Sequence, residues 1–315
     1  MTDGAGGVSG ALTLIVNPSA GGGRASAVLP DVTAALGGWA PDVRVEKTKS
    51  LDHAGDLASA AVGEGRLAVA LGGDGLVGRV AETVAGLDGL MAALPGGRGN
   101  DFLRGLGSPL EPVAAARALA GATERRIDLA MAGGRGFLGI ASCGFDSDVQ
   151  VIANRTRLVR GQRVYTYAAL RVAARWKPAT FRVRVDDEPE YTVVGWTVAA
   201  ANGPYYGGGM RFAPAAELDD GALDLVTTSK CGRLTFLSGF KKVFAGTHVD
   251  SPHVDTRRAR RVRIDADRPF QLYADGDPVA DLPVEITIRE RALRLLAPPG
   301  TTVGQRAAER PPAWS

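Results

Sequence analysis

Cysteine and histidine are scarce in this chain of 315 residues, with two of the first and three of the second. So few cysteines exclude a disulfide scaffold, and Cys143 and Cys231 lie too far apart in sequence to suggest a local bridge. Cys143 falls in the apolar run Phe137–Phe145 and reads as a small buried hydrophobe, so a reducing cytoplasm is the expected setting. His248 and His253 are five apart with Pro252 between them and do not share a helical face, which argues against a histidine-based zinc site. No apolar stretch reaches the ~18 residues a membrane-spanning helix needs. Met1–Gly10 lacks a basic segment followed by an apolar core and reads as a short flexible lead. The G-x-x-x-x-G-K-[ST] loop of Walker ATPases and the G-x-S-x-G elbow of α/β-hydrolases are both missing. A formal charge of +3 is too small to point to nucleic acid. The arginines cluster, at Arg155, Arg157, Arg160 and Arg163, then Arg171, Arg175 and Lys177, then Arg257, Arg258, Arg260, Arg261 and Arg263. No aromatic stripe accompanies them, so RNA binding is disfavoured. Solvated faces and attraction to an anionic membrane both remain open.

Glycine is plentiful, at 42 residues, and it gathers at turns. Three of these turns follow apolar runs in the first half: Asn17-Pro18-Ser19-Ala20-Gly21-Gly22-Gly23 after Leu12–Val16, Gly72-Gly73-Asp74-Gly75 after Leu67–Leu71, and Pro95-Gly96-Gly97-Arg98-Gly99-Asn100-Asp101 after Leu90–Leu94. Backbone amides freed of Cβ atoms approach a polyanion closely, and helix starts attract phosphate. One such turn is ordinary helix capping, and Asp74 alone could be an N-cap. Three at successive strand ends suggest one nucleotide site at the edge of a parallel sheet. Gly134-x-Gly136-x-x-Gly139 also fits G-x-G-x-x-G, but it runs into a strand pattern and is read as a chance match.

The first ~130 residues alternate strands (Leu12–Val16, Val43–Glu46, Leu67–Leu71, Leu90–Leu94) with helices (Ser26–Leu36, Leu51–Val62, Val77–Val84, Pro112–Leu119), an α/β pattern with a parallel sheet. Beyond Thr123–Asp128 the pattern turns to strands: Phe137–Phe145, Phe181–Val185, Thr192–Ala200, Leu223–Thr227, Arg261–Asp265, Phe270–Ala274 and Val284–Arg289. Helices at Tyr165–Arg175 and Leu234–Phe244 interrupt them, and an antiparallel sandwich or barrel is expected. Residues 304–315 read as a loose tail. Two acidic turns stand out in this half, Glu217-Leu218-Asp219-Asp220-Gly221-Ala222 and Ala274-Asp275-Gly276-Asp277, each in isolation a hairpin turn.

In their order, these five segments resemble the diacylglycerol kinase catalytic-domain family of bacterial lipid kinases, which sphingosine and ceramide kinases share. The resemblance spans about residues 11 to 297. It implies an N-terminal α/β nucleotide domain (1–127) like that of NAD kinases and phosphofructokinases, and a C-terminal antiparallel β-sandwich (128–292). Final strands of the family can return to the first domain, which here would be 293–315, starting with Leu293–Ala297. It implies transfer of the γ-phosphate of ATP to a lipid hydroxyl, diacylglycerol first among the acceptors. Nucleotide contacts would fall on Asn17, Pro18, Ser19, Ala20, Gly21, Thr48, Gly72, Gly73, Asp74, Gly75, Arg98, Asn100 and Asp101. A structural Mg²⁺ would be held by Asp220 with the backbone of Glu217 and Ala222. The general base would be Asp275 or Asp277, with Asp74 positioning the nucleotide or the acceptor hydroxyl. Three positions depart from the family pattern: Leu76 follows the GGDG turn in place of Thr, Arg98 replaces another Thr, and Asp277 replaces Glu. A lipid acceptor must be drawn partly out of a membrane, so without a spanning helix a cytoplasmic protein in peripheral membrane contact is expected, with Ile152–Tyr167, where Leu158, Val159, Val164 and Tyr165 stand among arginines, as the candidate docking segment or else an amphipathic core helix. Monomer and homodimer both stay open. A kinase with a sphingoid, ceramide or soluble acceptor, and an inactive lipid or nucleotide sensor, are the alternative functions.

Overall fold

The computed structural model describes residues 10–155, 167–168, 171–173 and 175–303. The proposed docking segment therefore falls largely outside the described residues, as do Arg157, Arg160, Arg163 and the tail at 304–315. The chain divides into two compact units, one running up to Ile127 and resuming at Arg291, the other spanning Asp128–Glu290.

In the first unit, β1 (Ala11–Val16), β2 (Asp42–Lys47), β3 (Leu67–Gly72) and β4 (Leu90–Pro95) form a parallel sheet in the order β4-β3-β1-β2. Leu12, Leu14, Val16, Leu67, Val69 and Leu71 share a core with Val32 and Leu36 of α1 (Arg24–Gly37) and Ala115 and Ala116 of α5 (Pro112–Ala118). The two-residue period of a strand then turns Ile15, Ala68 and Ala70 to the other face. There α2 (Leu51–Gly63) and α3 (Asp74–Gly86) pack together and against β1 and β3. Right-handed crossovers of this kind bring every strand's C-terminal end to one edge of the sheet. The short helix α4 (Asp101–Leu106) has no counterpart in the sequence reading, because six residues are too few to show a helical period.

The second unit is mainly antiparallel. β5 (Thr123–Ala132) enters it, and β6 (Arg135–Phe137) and β7 (Ile140–Gly144) follow. The expected single strand Phe137–Phe145 is thus divided by Leu138-Gly139, and Phe145 already begins α6 (Phe145–Arg155). β8 (Ala179–Val185), β9 (Tyr191–Ala201), β10 (Leu223–Ser229), β11 (Val254–Ala259), β12 (Arg261–Ala266), β13 (Gln271–Ala274) and β14 (Asp277–Asp281) complete the strands. The final strand β15 (Val284–Ala297) pairs with β12 through Val284–Thr287, while its Arg294 and Leu295, in the first unit, pair parallel with Leu90 and Met91 of β4. What the sequence suggests as two strands, Val284–Arg289 and Leu293–Ala297, is one strand that passes through Arg291 at φ 50. Helix α7 (Arg233–Ala245) lies between β10 and β11. Strand β9 pairs with β8 through residues 191–195 and with β7 and β10 beyond. The core gathers around the stacked rings of Trp196 and Phe236, with centroids 4.1 Å apart.

Candidate active site

The three glycine turns touch one another backbone to backbone. The Asn17 N–H donates to the Leu71 carbonyl at 3.2 Å, and the Gly96 and Gly97 N–H groups both donate to the Gly72 carbonyl, at 2.8 and 3.0 Å. A Cβ on Gly21 would lie 2.6 Å from the Gly96 oxygen, and one on Gly97 would lie 2.4 Å from the Gly73 Cα. Glycine is needed here because main chain meets main chain, a reason that composition alone does not reveal.

Side chains lock the turns from within. Asn17 Oδ1 accepts from the Ser19 N–H and hydroxyl, at 3.1 and 2.8 Å. Asn100, at φ 51, accepts from the Gly97 N–H at 2.9 Å and donates to its carbonyl at 3.2 Å. The Thr48 hydroxyl donates to the Ser50 carbonyl at 2.6 Å, in the turn that starts α2. Pro18, Ala20 and Gly75 sit within the turns themselves, and Arg98 is exposed at the tip of the third.

Helix starts around these turns differ in a telling way. Helices α2 and α5 are capped by Ser50 and Glu111 side chains. Helices α1 and α3, which leave the glycine turns, begin at Gly23 and Gly73 with no side-chain cap. Their first N–H groups are the donors an anion would take. Asp74 does not cap its own helix. It is the first residue of α3, and its carboxylate accepts from the Phe102 N–H at 3.1 Å at the start of α4, tying the second turn to the third. Burial, with the charge of Asp101 added, pushes the Asp74 carboxyl up to about 6. Asp101 is itself buried, with Arg104 at 3.9 Å.

In the second unit, Asp275 and Gly276 both have positive φ and close the two-residue β13–β14 hairpin that the Asp-Gly pair predicts. The Asp275 carboxylate accepts three backbone N–H groups, from Leu138 at 3.0 Å, Gly139 at 3.0 Å and Ile140 at 3.2 Å. It clamps the segment between β6 and β7. Gly139, the last glycine of the G-x-G-x-x-G match, therefore serves a carboxylate of its own chain. An anion held by three donors is a poor proton acceptor. Replacing Asp275 by Asn turns one acceptor into a donor facing those amides, so about 1.5–3 kcal/mol of stability is expected to be lost. A thermal midpoint equal to wild type would refute the clamp. Asp277 is only half-buried, and burial raises its carboxyl while Arg135 opposes the rise.

The acidic turn before β10 is organised by a residue that sequence reading passes over. Asp128 is fully buried, and its Oδ2 accepts from the Gly221 N–H at 2.7 Å while its own N–H donates to the Leu218 carbonyl at 2.7 Å. Its only sequence signal is a carboxylate inside the apolar run Ile127–Ala132. Asp220 Oδ1 accepts from the Ala222 N–H at 3.1 Å, and Oδ2 meets the Arg258 guanidinium at 2.5 Å. Burial raises the Asp220 carboxyl, and Arg258 opposes this. The donors expected for Mg²⁺, Asp220 with the Glu217 and Ala222 carbonyls, thus do not fit the ion as arranged, because a guanidinium already neutralises the only carboxylate whose oxygens were to bind it. Among the described residues no three His, Cys, Asp or Glu side chains come together as a metal centre. Other arginines of this cluster are similarly engaged: Arg257 pairs with Glu188 and Asp255, Arg260 with Glu290, and Arg261 with Asp187.

A cavity of about 130 Å³ opens within the same unit. Phe212, Phe236, Phe240 and Val243 supply apolar wall, and Asp146, Tyr206 and His248 supply polar groups. Tyr206 donates its hydroxyl to Asp146 at 3.2 Å. Burial, opposed by Tyr206, pushes the Asp146 carboxyl up to about 6. His248 is 5% exposed, and burial lowers its pKa. His253 lines the same cavity as His248. None of Asp146, Tyr206 and His248 carries a motif that would have singled it out. Asp146 stands one residue past the end of an apolar run, in the first turn of a helix the sequence does not announce.

Stacked glycine turns ahead of helices with uncapped starts define a phosphate-handling α/β unit, the build of a phosphotransferase. Comparison with known proteins makes the class specific. Residues 11–132 match the model of the diacylglycerol kinase catalytic domain, and residues 139–297 match that of the YegS C-terminal NAD kinase beta sandwich-like domain. A Diacylglycerol kinase of Mycobacterium tuberculosis (strain ATCC 25618 / H37Rv) is 33% identical over 296 residues, covering 92% of this chain and 96% of its own length. The protein named Probable lipid kinase YegS-like of Pseudomonas aeruginosa (strain UCBPP-PA14) is 34% identical over 243 residues, 74% of this chain and 77% of its own. The crystal structure of a diacylglycerol kinase from Bacillus anthracis str. Sterne shares the fold at a TM-score of 0.70 and 22% identity, covering 92% of this chain and 97% of that one. The chain belongs to the diacylglycerol kinase catalytic-domain family, and it is a kinase of the lipid kinase class. No helix among its described residues is long and apolar enough to cross a membrane.

Proposed function

We propose that this protein transfers the γ-phosphoryl group of ATP to the hydroxyl of a membrane lipid, with diacylglycerol as the acceptor. The observation that carries a lipid acceptor is the cavity in the second unit, whose aromatic and aliphatic walls suit an acyl chain and whose Asp146–Tyr206 pair offers a polar end for a hydroxyl or ester. A wholly soluble acceptor such as a nucleotide or sugar would find little to match in walls this apolar. The nucleotide phosphates are assigned to the uncapped starts of α1 and α3, between the turns at Asn17–Gly23 and Gly72–Gly75.

Phosphoryl transfer is mainly positioning and charge neutralisation. The acceptor oxygen attacks the γ-phosphorus, the bond from that phosphorus to the β–γ bridging oxygen breaks, ADP leaves, and the hydroxyl proton goes to a carboxylate. Asp74 fits this role better than Asp275. Its carboxyl, raised to about 6 by burial and Asp101 against the backbone N–H groups it accepts, is ionised at neutral pH and still basic enough to take a proton, whereas Asp275 is committed to clamping Leu138, Gly139 and Ile140. Asp275 is assigned to positioning, through the segment it clamps.

The test is transfer of label from γ-³²P-ATP, with Mg²⁺ in the buffer, to diacylglycerol, ceramide, a sphingoid base and a soluble alcohol in mixed micelles. Label in extracted diacylglycerol is expected. Label confined to another lipid would overturn the acceptor, and ATP binding without any labelled product would overturn the kinase reading in favour of a sensor.

A further inference from the structure

Residues 225–249 hold four cations, Lys230, Arg233, Lys241 and Lys242, and not one carboxylate. Helix α7 occupies the middle of this stretch, and none of its residues is fully buried. Its two faces differ. Phe236, Phe240 and Val243, spaced four and three apart, turn inward to line the cavity, where Phe236 also stacks on Trp196. Leu234, Lys241 and Phe244, spaced seven and three apart, are exposed to water, while Leu237 packs against the core. Leu234 is 84% exposed and Phe244 52% exposed, so two large apolar side chains lie in water on a helix flanked by cations. Scattered single hydrophobes are ordinary on a surface, but apolar residues on one stripe of a cationic, acid-free helix form an interfacial pattern.

We propose that α7 is the membrane-contact helix of this protein. Its outer stripe sits on an anionic phospholipid surface, and its inner stripe roofs the cavity assigned to the acceptor's chains. The occupant follows from charge: a helix that carries Arg233, Lys241 and Lys242 and no acid fits anionic headgroups, and it repels a second copy of itself laid face to face. The position follows from continuity, since a helix is only about 10 Å across with its side chains. A lipid lifted from the bilayer would reach the cavity past a single helix. Arg257, Arg258, Arg260 and Arg261, by contrast, are each already paired with a carboxylate. This inference rests on the lipid-acceptor reading for the purpose of the contact, but its test does not depend on turnover.

The test is flotation of the full chain, without nucleotide, on vesicles of phosphatidylcholine with and without phosphatidylglycerol. Each cation near an anionic surface strengthens attachment roughly fivefold. Lys230→Gln with Lys241→Gln is therefore expected to weaken partition by roughly 30-fold, and Leu234→Gln with Phe244→Gln to abolish flotation. High salt should mimic the first pair, and neutral vesicles should bind wild type weakly. Neither pair lines the cavity, so phosphorylation of a short-chain monomeric diacylglycerol should persist in both. Unchanged flotation of the lysine pair would overturn the proposal even if the apolar pair fails to fold. Loss of a concentration-dependent dimer in Leu234→Gln, with flotation intact, would overturn it in favour of self-association. If no acceptor is ever labelled but flotation still follows α7, the kinase acceptor assignment fails and this one stands.

Discussion

Asp74→Asn is expected to lower kcat by about 10²–10⁴ while making the folded protein more stable at neutral pH. The two effects have one cause. Burial and the neighbouring Asp101 raise the Asp74 carboxyl from 3.8 to about 6, so the folded chain holds that proton more tightly than the unfolded chain does. Between pH 4 and 6 the folded state binds the extra proton, and stability falls as pH rises through that window. Above it, wild type carries an ionised group in an unfavourable place. The amide carries no charge and still accepts from the Phe102 N–H through its oxygen. The thermal midpoint of Asp74→Asn should therefore exceed that of wild type at pH 7.5, with the gap closing below pH 4. Turnover should behave in the opposite way: kcat/KM of wild type should climb with pH through about 6 as the carboxylate forms, and then level off. Asp277→Asn, at a half-buried position on the hairpin, is expected to stay within about tenfold of wild-type kcat. If Asp277→Asn is the more damaging change, the proton acceptor lies in the second unit and Asp74 is demoted to fastening the turns.

Gly97→Ala is the second large effect. The added Cβ would stand 2.4 Å from the Gly73 Cα and 3.1 Å from Asn100 Oδ1, so main chain must move. Overpacking of this kind costs about 1–3 kcal/mol. For a protein of this size that is a drop in thermal midpoint of roughly 2–4 °C per kcal/mol. The turn that moves is one bonded to Gly72, so the nucleotide site is expected to open and the KM for ATP to rise at least about tenfold. Gly63→Ala is the control. Its Cβ would meet nothing within 4 Å at the last position of α2, and a gain of up to about 1 kcal/mol with unchanged KM is expected. A Gly97→Ala enzyme with wild-type midpoint and KM would show that the glycine turns are not the rigid, stacked platform described above.

The alternating strands and helices of the first unit were legible because hydrophobic period and turn chemistry agree there: three apolar runs and one alternating strand, each ended by glycine or a polar turn, alternate with amphipathic helices. The β13–β14 hairpin was legible for the same reason, since Asp275-Gly276 supplies two residues that tolerate positive φ. Local signals failed at Phe137–Phe145, where an unbroken apolar run covers the end of a hairpin, a strand and the start of α6. Apolar content reports burial and not the direction of the chain. They failed again at 284–297, where Arg289, Glu290 and Arg291 look like a break yet continue one strand, because exposed positions place no demand on polarity.

By itself, the sequence determined the α/β-then-β order, the glycine turns and the acidic turns, and so the kinase family. All of these are written in residues near one another along the chain. Tertiary structure alone decided what each acid does. Asp275 is tied by amides some 136 positions earlier, Asp220 is neutralised by an arginine 38 positions later, and Asp74 is raised by burial beside the third turn. A carboxylate's chemistry is set by its donors, neighbouring charges and access to water, and those come from segments distant in sequence.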